Sequence, residues 1–195
     1  MQAWLVNGAI RNGEGKELYQ LTASHRRRGL KVLFQSNHLT TEAKKELLAS
    51  VLQGDESDLA RNTILTCEAS IPDAANKAAV WKEITDPQSA LSAKQRQAQM
   101  AGFYALDQLD LCRPYFAKYY EVLPQMEAQH GYKYLAFFAS AMLPTDEIDD
   151  SHIVALANIK SRVPDTNKVF MNLLQDNIEV LLRCKNVRAY SEQLD

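Results

Sequence analysis

Helix-breaking residues are scarce in this sequence: it has seven glycines and six prolines among 195 residues. Few positions are therefore set aside for tight turns, which argues against an all-β chain built from many short strands. Long apolar runs are missing too. The longest lie near Leu135 to Leu143 and Val180 to Leu182, well short of the roughly 20 residues that a membrane-spanning helix needs. Met1 to Ile10 carries no basic residue, so no secretory leader is expected. Neither charge dominates. With 22 Lys+Arg against 24 Asp+Glu the formal net charge is −2, which gives no support to a nucleic-acid partner. The three cysteines, Cys67, Cys112 and Cys184, are widely spaced, odd in number and set in apolar helical patterns. They read as buried free thiols in a reducing compartment. No Asn-x-Ser/Thr sequon occurs either, and a cytoplasmic location is the expectation.

Catalytic signatures are missing as well. There is no HExxH zinc pair, no GxxxxGK[ST] or GxGxxG phosphate cradle, no CxxC and no GxSxG nucleophile elbow.

What the chain does have is an apolar residue every three or four positions, in stretches of about 10 to 20 residues. The spacing predicts helices over Gln2–Arg11, Lys16–Gln35, Thr41–Gln53, Ser57–Ala69, Asp73–Thr85, Ala93–Ala105, Leu109–Gln129, Tyr132–Met142, Ser151–Lys160 and Thr166–Ala189. Thr40 or Thr41 starts the third, and Gly54 stops it. Ser70 and Asp73 have capping-box spacing, with Pro72 in the first turn. Pro114 and Pro124 kink or split the seventh, and Gly131 ends it. Short connections and one-sided apolar stripes predict an all-α fold: a single helical-repeat domain over residues 1–195, a curved array of antiparallel helix pairs of the HEAT-like α-α superhelix kind. Ile71 to Lys77 echoes Val163 to Lys168, either as a repeat or because Pro-Asp simply starts helices well. Trp81 is expected to be buried, its truncation to Ala costing about 3 to 5 kcal/mol. An exposed apolar patch is expected near Trp4, Leu5 and Ile10.

Four groups of residues invite a functional reading. Glu127 and His130 have the Glu-x-x-His spacing of di-iron bundles, but a second pair is missing and His130 fits a helix C-terminus. Asp146, Glu147, Asp149, Asp150 and His152 lack the glycine and glutamate of a calcium loop and suit an acidic helix start. His25-Arg26-Arg27-Arg28 reads as a solvated helix face or as a grip on an anionic partner. Phe103, Tyr104, Tyr115, Tyr119, Tyr120, Phe137 and Phe138 read as core, or as the lining of a groove.

Several segments, taken in order, resemble a known family. They are Asp55-Glu56-Ser57 with Ala60-Arg61, Ala69, Pro72-Asp73, Lys77 and Trp81, followed by Ala101-Gly102-Phe103 and Leu111-Cys112-Arg113-Pro114-Tyr115. Tyr119-Tyr120, Met142-Leu143-Pro144 and Leu173 to Arg183 complete the series. Together they are similar to the C-terminal helical domain of zinc aminopeptidases of the aminopeptidase N type, in its actinobacterial-like branch. The resemblance spans roughly Lys16 to Arg188. It implies a non-catalytic domain that shapes and gates the peptide chamber of a larger enzyme. In that family the HExxH and GxMEN motifs, and the zinc, belong to a separate upstream catalytic domain. That domain and the peptide substrates would be the partners, and this chain would hold no cofactor. The resemblance assigns no catalytic or metal-binding residue and singles out no substrate-binding one. A free-standing helical-repeat adaptor is the alternative, and a small helical enzyme built on Glu127 and His130 or on the acidic cluster is the third reading.

Overall fold

The computed structural model describes residues 2–105 and 107–191. The fold is all-α apart from one two-stranded hairpin, and it divides into two compact units, Met1–Leu111 and Cys112–Asp195.

The first unit contains α1 (Gln2–Asn7), β1 (Ala9–Arg11), β2 (Glu17–Gln20), α2 (Ala23–Gln35), α3 (Thr41–Val51), α4 (Asp58–Ala69), α5 (Ala74–Thr85) and α6 (Ala93–Phe103). The hairpin corrects two expected helices, Gln2–Arg11 and Lys16–Gln35. Gly8 adopts φ +71° and ends α1, and Gly15 adopts φ +82°. Between the strands the Asn12 side-chain oxygen accepts from the amides of Glu14 (3.1 Å) and Lys16 (2.9 Å). Asn-Gly chemistry and two left-handed glycines outweigh a helical apolar spacing that is weak here. Ile10 then pairs with Tyr19 across the antiparallel ladder.

Most helix starts follow the sequence. The Thr40 and Ser57 hydroxyls cap α3 and α4, and Thr22 caps α2 with His25 completing a capping box. The Ser70–Asp73 box does not form. Asp73 itself caps α5, accepting from Asn76 N at 2.7 Å, while the Ser70 hydroxyl donates to Cys67 O at the end of α4. Pro72 therefore precedes the cap. Asn167, not Asp165, caps α11 by accepting from Phe170 N, so the Ile71 and Val163 segments open their helices differently.

Helix α4 packs most extensively on α6. A Cβ at Gly102 would lie 2.1 Å from the Thr66 carbonyl oxygen, so at this crossing only a hydrogen fits. The Thr66 hydroxyl lies 2.9 Å from the Ala98 carbonyl of α6. Trp81 is 9% exposed and packs on Phe103, with ring centroids 5.8 Å apart, as expected. Near the N-terminus Trp4 and Val6 are exposed at 39% and 42%, but Leu5 is buried in the cluster of Leu30, Phe34, Leu47 and Val51, so the expected patch is smaller by its central residue.

A common device closes the helices of this unit. The last carbonyls of a helix have no intrahelical partner and carry its negative pole. Here cationic or amide side chains from other elements reach them. Arg26 donates to Leu5 O of α1 and Val51 O of α3. Lys44, 2% exposed, donates to Phe34 O of α2. Gln108 Nε2 reaches Gln35 O and Ser70 O, and Arg96 reaches Asp86 O beyond α5. Lys77, wholly buried, donates to Ala69 O at 2.9 Å and Phe103 O at 2.6 Å, closing α4 and α6 together.

The chain enters the second unit through α7 (Leu109–Cys112) and continues as α8 (Pro114–Gln129), α9 (Tyr132–Ala141), α10 (Asp150–Lys160) and α11 (Lys168–Ser191). The expected helix Leu109–Gln129 is split at Pro114, which stands in the first turn of α8 where its missing N–H has no helical partner to lose. Pro124 lies within α8. Gly131 starts α9 rather than ending α8, whose C-cap is His130. The core is locked by a buried polar triangle: Tyr119 donates to Ala139 O (2.8 Å), and Asn177 Nδ2 reaches both Tyr119 Oη and Ala139 O at 3.1 Å.

All three thiols are free; Cys67 and Cys112 are buried as expected, whereas Cys184 on α11 is half-exposed. Burial pushes the Cys67 thiol up to about 12, which withholds the reactive thiolate at neutral pH. Iodoacetamide at pH 8 is therefore expected to label the folded protein at Cys184 alone, with Cys67 and Cys112 labelled only after denaturation; peptide mass mapping reads this out. No helix among the described residues is long and apolar enough to cross a membrane.

Candidate functional site

Glu127 and His130 both sit at the end of α8 but have separate partners. Glu127 Oε1 accepts from Asn167 Nδ2 at 2.8 Å, and the His130 ring packs 4.8 Å from the Tyr134 ring. Among the described residues no group of three or more His, Cys, Asp or Glu side chains could hold a metal ion.

The acidic cluster is likewise shared out except for Asp146, which is exposed. Asp149 caps α10, and hydrogen bonds from Ser151 hold its carboxyl below the usual range. Asp150 pairs with Lys185. Glu147 takes a two-pronged grip from Arg113, at 2.7 and 2.6 Å, which lowers its pKa. His152 Nδ1 lies 2.8 Å from the Tyr120 hydroxyl. Burial raises the Tyr120 pKa, so this phenol stays protonated and is no general base at neutral pH. The aromatic group is mainly core: Tyr119, Phe103 and Phe138 are fully buried, Tyr115 nearly so, while Phe137 is exposed.

The basic run lies on α2, and its members diverge by helical geometry. His25 belongs to the cap, Arg26 points back to the ends of α1 and α3, and Arg27 pairs with Asp55. Arg28 is exposed and, with Arg27, Lys31, Ser24, Leu59 and Thr63, lines a cleft of about 240 Å³ between α2 and α4. Sequence reasoning found the arginines but not Lys31 or Thr63. Lys31 is one helical turn beyond Arg27, and that spacing was the available signal. Thr63 comes from another helix and carried none.

This cleft brings together three cations, of which Arg27 alone is in an ion pair among the described residues. Two hydroxyls and one apolar wall complete it. It contains no nucleophile–base pair. Its chemistry is recognition of an anionic group with a short apolar neighbour, by charge and N–H donors. No protein-family model matches the chain, and no curated protein matches it.

Proposed function

We propose that this chain is a non-catalytic helical domain of a zinc aminopeptidase of the aminopeptidase N type, shaping and gating the chamber through which peptides reach a catalytic domain elsewhere in the same polypeptide. One observation carries the reading. Ala69, Lys77, Trp81, Gly102 and Phe103, which carry the resemblance from separate segments, come together in one place: Lys77 donates to Ala69 O and Phe103 O, Trp81 packs on Phe103, and Gly102 lies against Thr66 and Ala69. Residues that set helix geometry are those a shared fold would need to retain. Pro114 at the start of α8 and Tyr119 in the polar triangle add to the same argument. The cleft of Arg27, Arg28 and Lys31 supplies the cationic surface on which such a domain would meet a peptide's carboxylate. Free thiols fit a cytoplasmic location.

The expected outcome for the chain by itself is no stoichiometric zinc by elemental analysis and no turnover of aminoacyl anilides; one tightly held zinc per chain together with turnover overturns the proposal. The coding sequence upstream of the Gln2 codon supplies the second test. An HExxH motif followed by a glutamate in the same reading frame is expected. A free-standing frame without it favours the adaptor alternative.

A further inference from the structure

A second cleft, of about 310 Å³, lies within the second unit where the end of α8 meets the segment joining α10 to α11. We infer that it binds a free α-amino acid with an apolar side chain, Glu127 taking the ammonium group and Arg162 the carboxylate.

The two charges share the cleft without pairing with each other. Glu127 stands in the last turn of α8, at the negative pole of a 16-residue helix, where a carboxylate is unfavourable and a cation favourable. Its Oε1 accepts from Asn167 Nδ2 at 2.8 Å, while Asn167 Oδ1 accepts from Phe170 N at 3.2 Å. Asn167 is thus held at both ends and orients the carboxylate, whose Oε2 accepts no hydrogen bond among the described residues. Arg162 lies two residues beyond α10, its amide bonded to Ile159 O at 3.0 Å. Its side chain lines the cleft and has no ion pair or side-chain hydrogen bond among the described residues.

Apart from these two and Asn167, the lining is apolar: Pro124, Ile159, Val163, Pro164 and Phe170. A carboxylate and a guanidinium in one cleft, beside an apolar wall, complement a zwitterion with an apolar side chain. The volume sits at the bottom of the range for small-molecule sites, about 300 to 1,000 Å³, which suits a ligand of one residue. This cleft is separate from the cationic cleft between α2 and α4.

Leucine, added to the ¹⁵N-labelled protein and followed by amide NMR shifts, tests it. Saturable shifts are expected in the residues from Ile159 to Phe170 and around Glu127. Leucinamide, which lacks the carboxylate, and N-acetyl-leucine, which lacks the ammonium, should each bind about tenfold more weakly or worse. Glu127→Gln should erase the preference over N-acetyl-leucine, and Arg162→Gln the preference over leucinamide. No saturable shift up to about 50 mM leucine, or equal binding of all three compounds, overturns the inference. The ligand series on the unmodified protein decides the matter even if a variant folds poorly.

Discussion

Gly102→Val is expected to unfold the first unit at room temperature. A Cβ at this position lies 2.1 Å from the Thr66 carbonyl oxygen, 3.0 Å from its carbonyl carbon and 3.2 Å from the Ala69 Cβ. The obstacle is mostly backbone of α4, so no rotamer change relieves it. Overpacking a core by a methylene or two costs about 1 to 3 kcal/mol where side chains can give way. Here the helices themselves must separate, and with them go the Thr66–Ala98 bond and the Phe103 carbonyl that Lys77 holds. Whole domains have only about 5 to 15 kcal/mol of stability to lose. Gly102→Ala should show the same effect in weaker form, above about 3 kcal/mol. Gly13→Ala, in the same unit, is the control: nothing lies within 4 Å of a Cβ there and its φ is not positive, so its stability should stay within about 0.5 kcal/mol of the parent's. Urea unfolding followed by circular dichroism separates the three. A Gly102→Val protein as stable as the parent would show that α4 and α6 are not in contact at this crossing.

The next largest effect is expected at Lys77. Its ammonium group closes the ends of two helices at once, from a fully buried position. Lys77→Ala leaves the Ala69 and Phe103 carbonyls without that donor, at about 1 to 3 kcal/mol for each. It also leaves a cavity under Trp81 and Phe103, which adds to the loss. Lys77→Met fills the cavity but not the bonds, so it should recover only part. Lys44 gives a scale for comparison: its ammonium group reaches one carbonyl, Phe34 O, and Lys44→Met should cost roughly half as much as Lys77→Met. Equal stability of the Lys77→Met and parent proteins would mean that water already satisfies both carbonyls.

The helices were legible because their punctuation is local. Thr40, Ser57 and Pro114 mark starts that need nothing from the rest of the chain. The hairpin was misread as helix although Asn12-Gly13-Glu14-Gly15 carried the turn signal, because the flanking apolar residues also fit a period near 3.6. Lys44 and Lys77 could not be placed by composition, since a lysine in a helix normally reaches solvent. Their burial depends on which helix ends the fold brings within reach of the ammonium group. Gly102 was hidden for a related reason: a glycine inside a helical pattern reads as tolerated, and only the distance to Thr66 makes it required. The clefts combine residues far apart in sequence. Glu127 stands near His130 in the sequence, but its partner in space is Asn167, forty positions on.

Closing two helix ends with one side chain also bears on the order in which the first unit assembles. Neither acceptor of Lys77 is well placed until α4 has ended at Ala69 and α6 at Phe103, and until the two helices lie against each other. Helix α5 lies between them in the sequence, so the ammonium group loses its water only after they have docked. Its bonds are then expected on the native side of the main barrier, so that Lys77→Met speeds unfolding and leaves the folding rate unchanged in stopped-flow measurements. Interactions formed that late slow escape from the native state and leave the search for it untouched. Lys77 thus contributes mainly to the lifetime of the folded unit, as a latch that engages last and must release first.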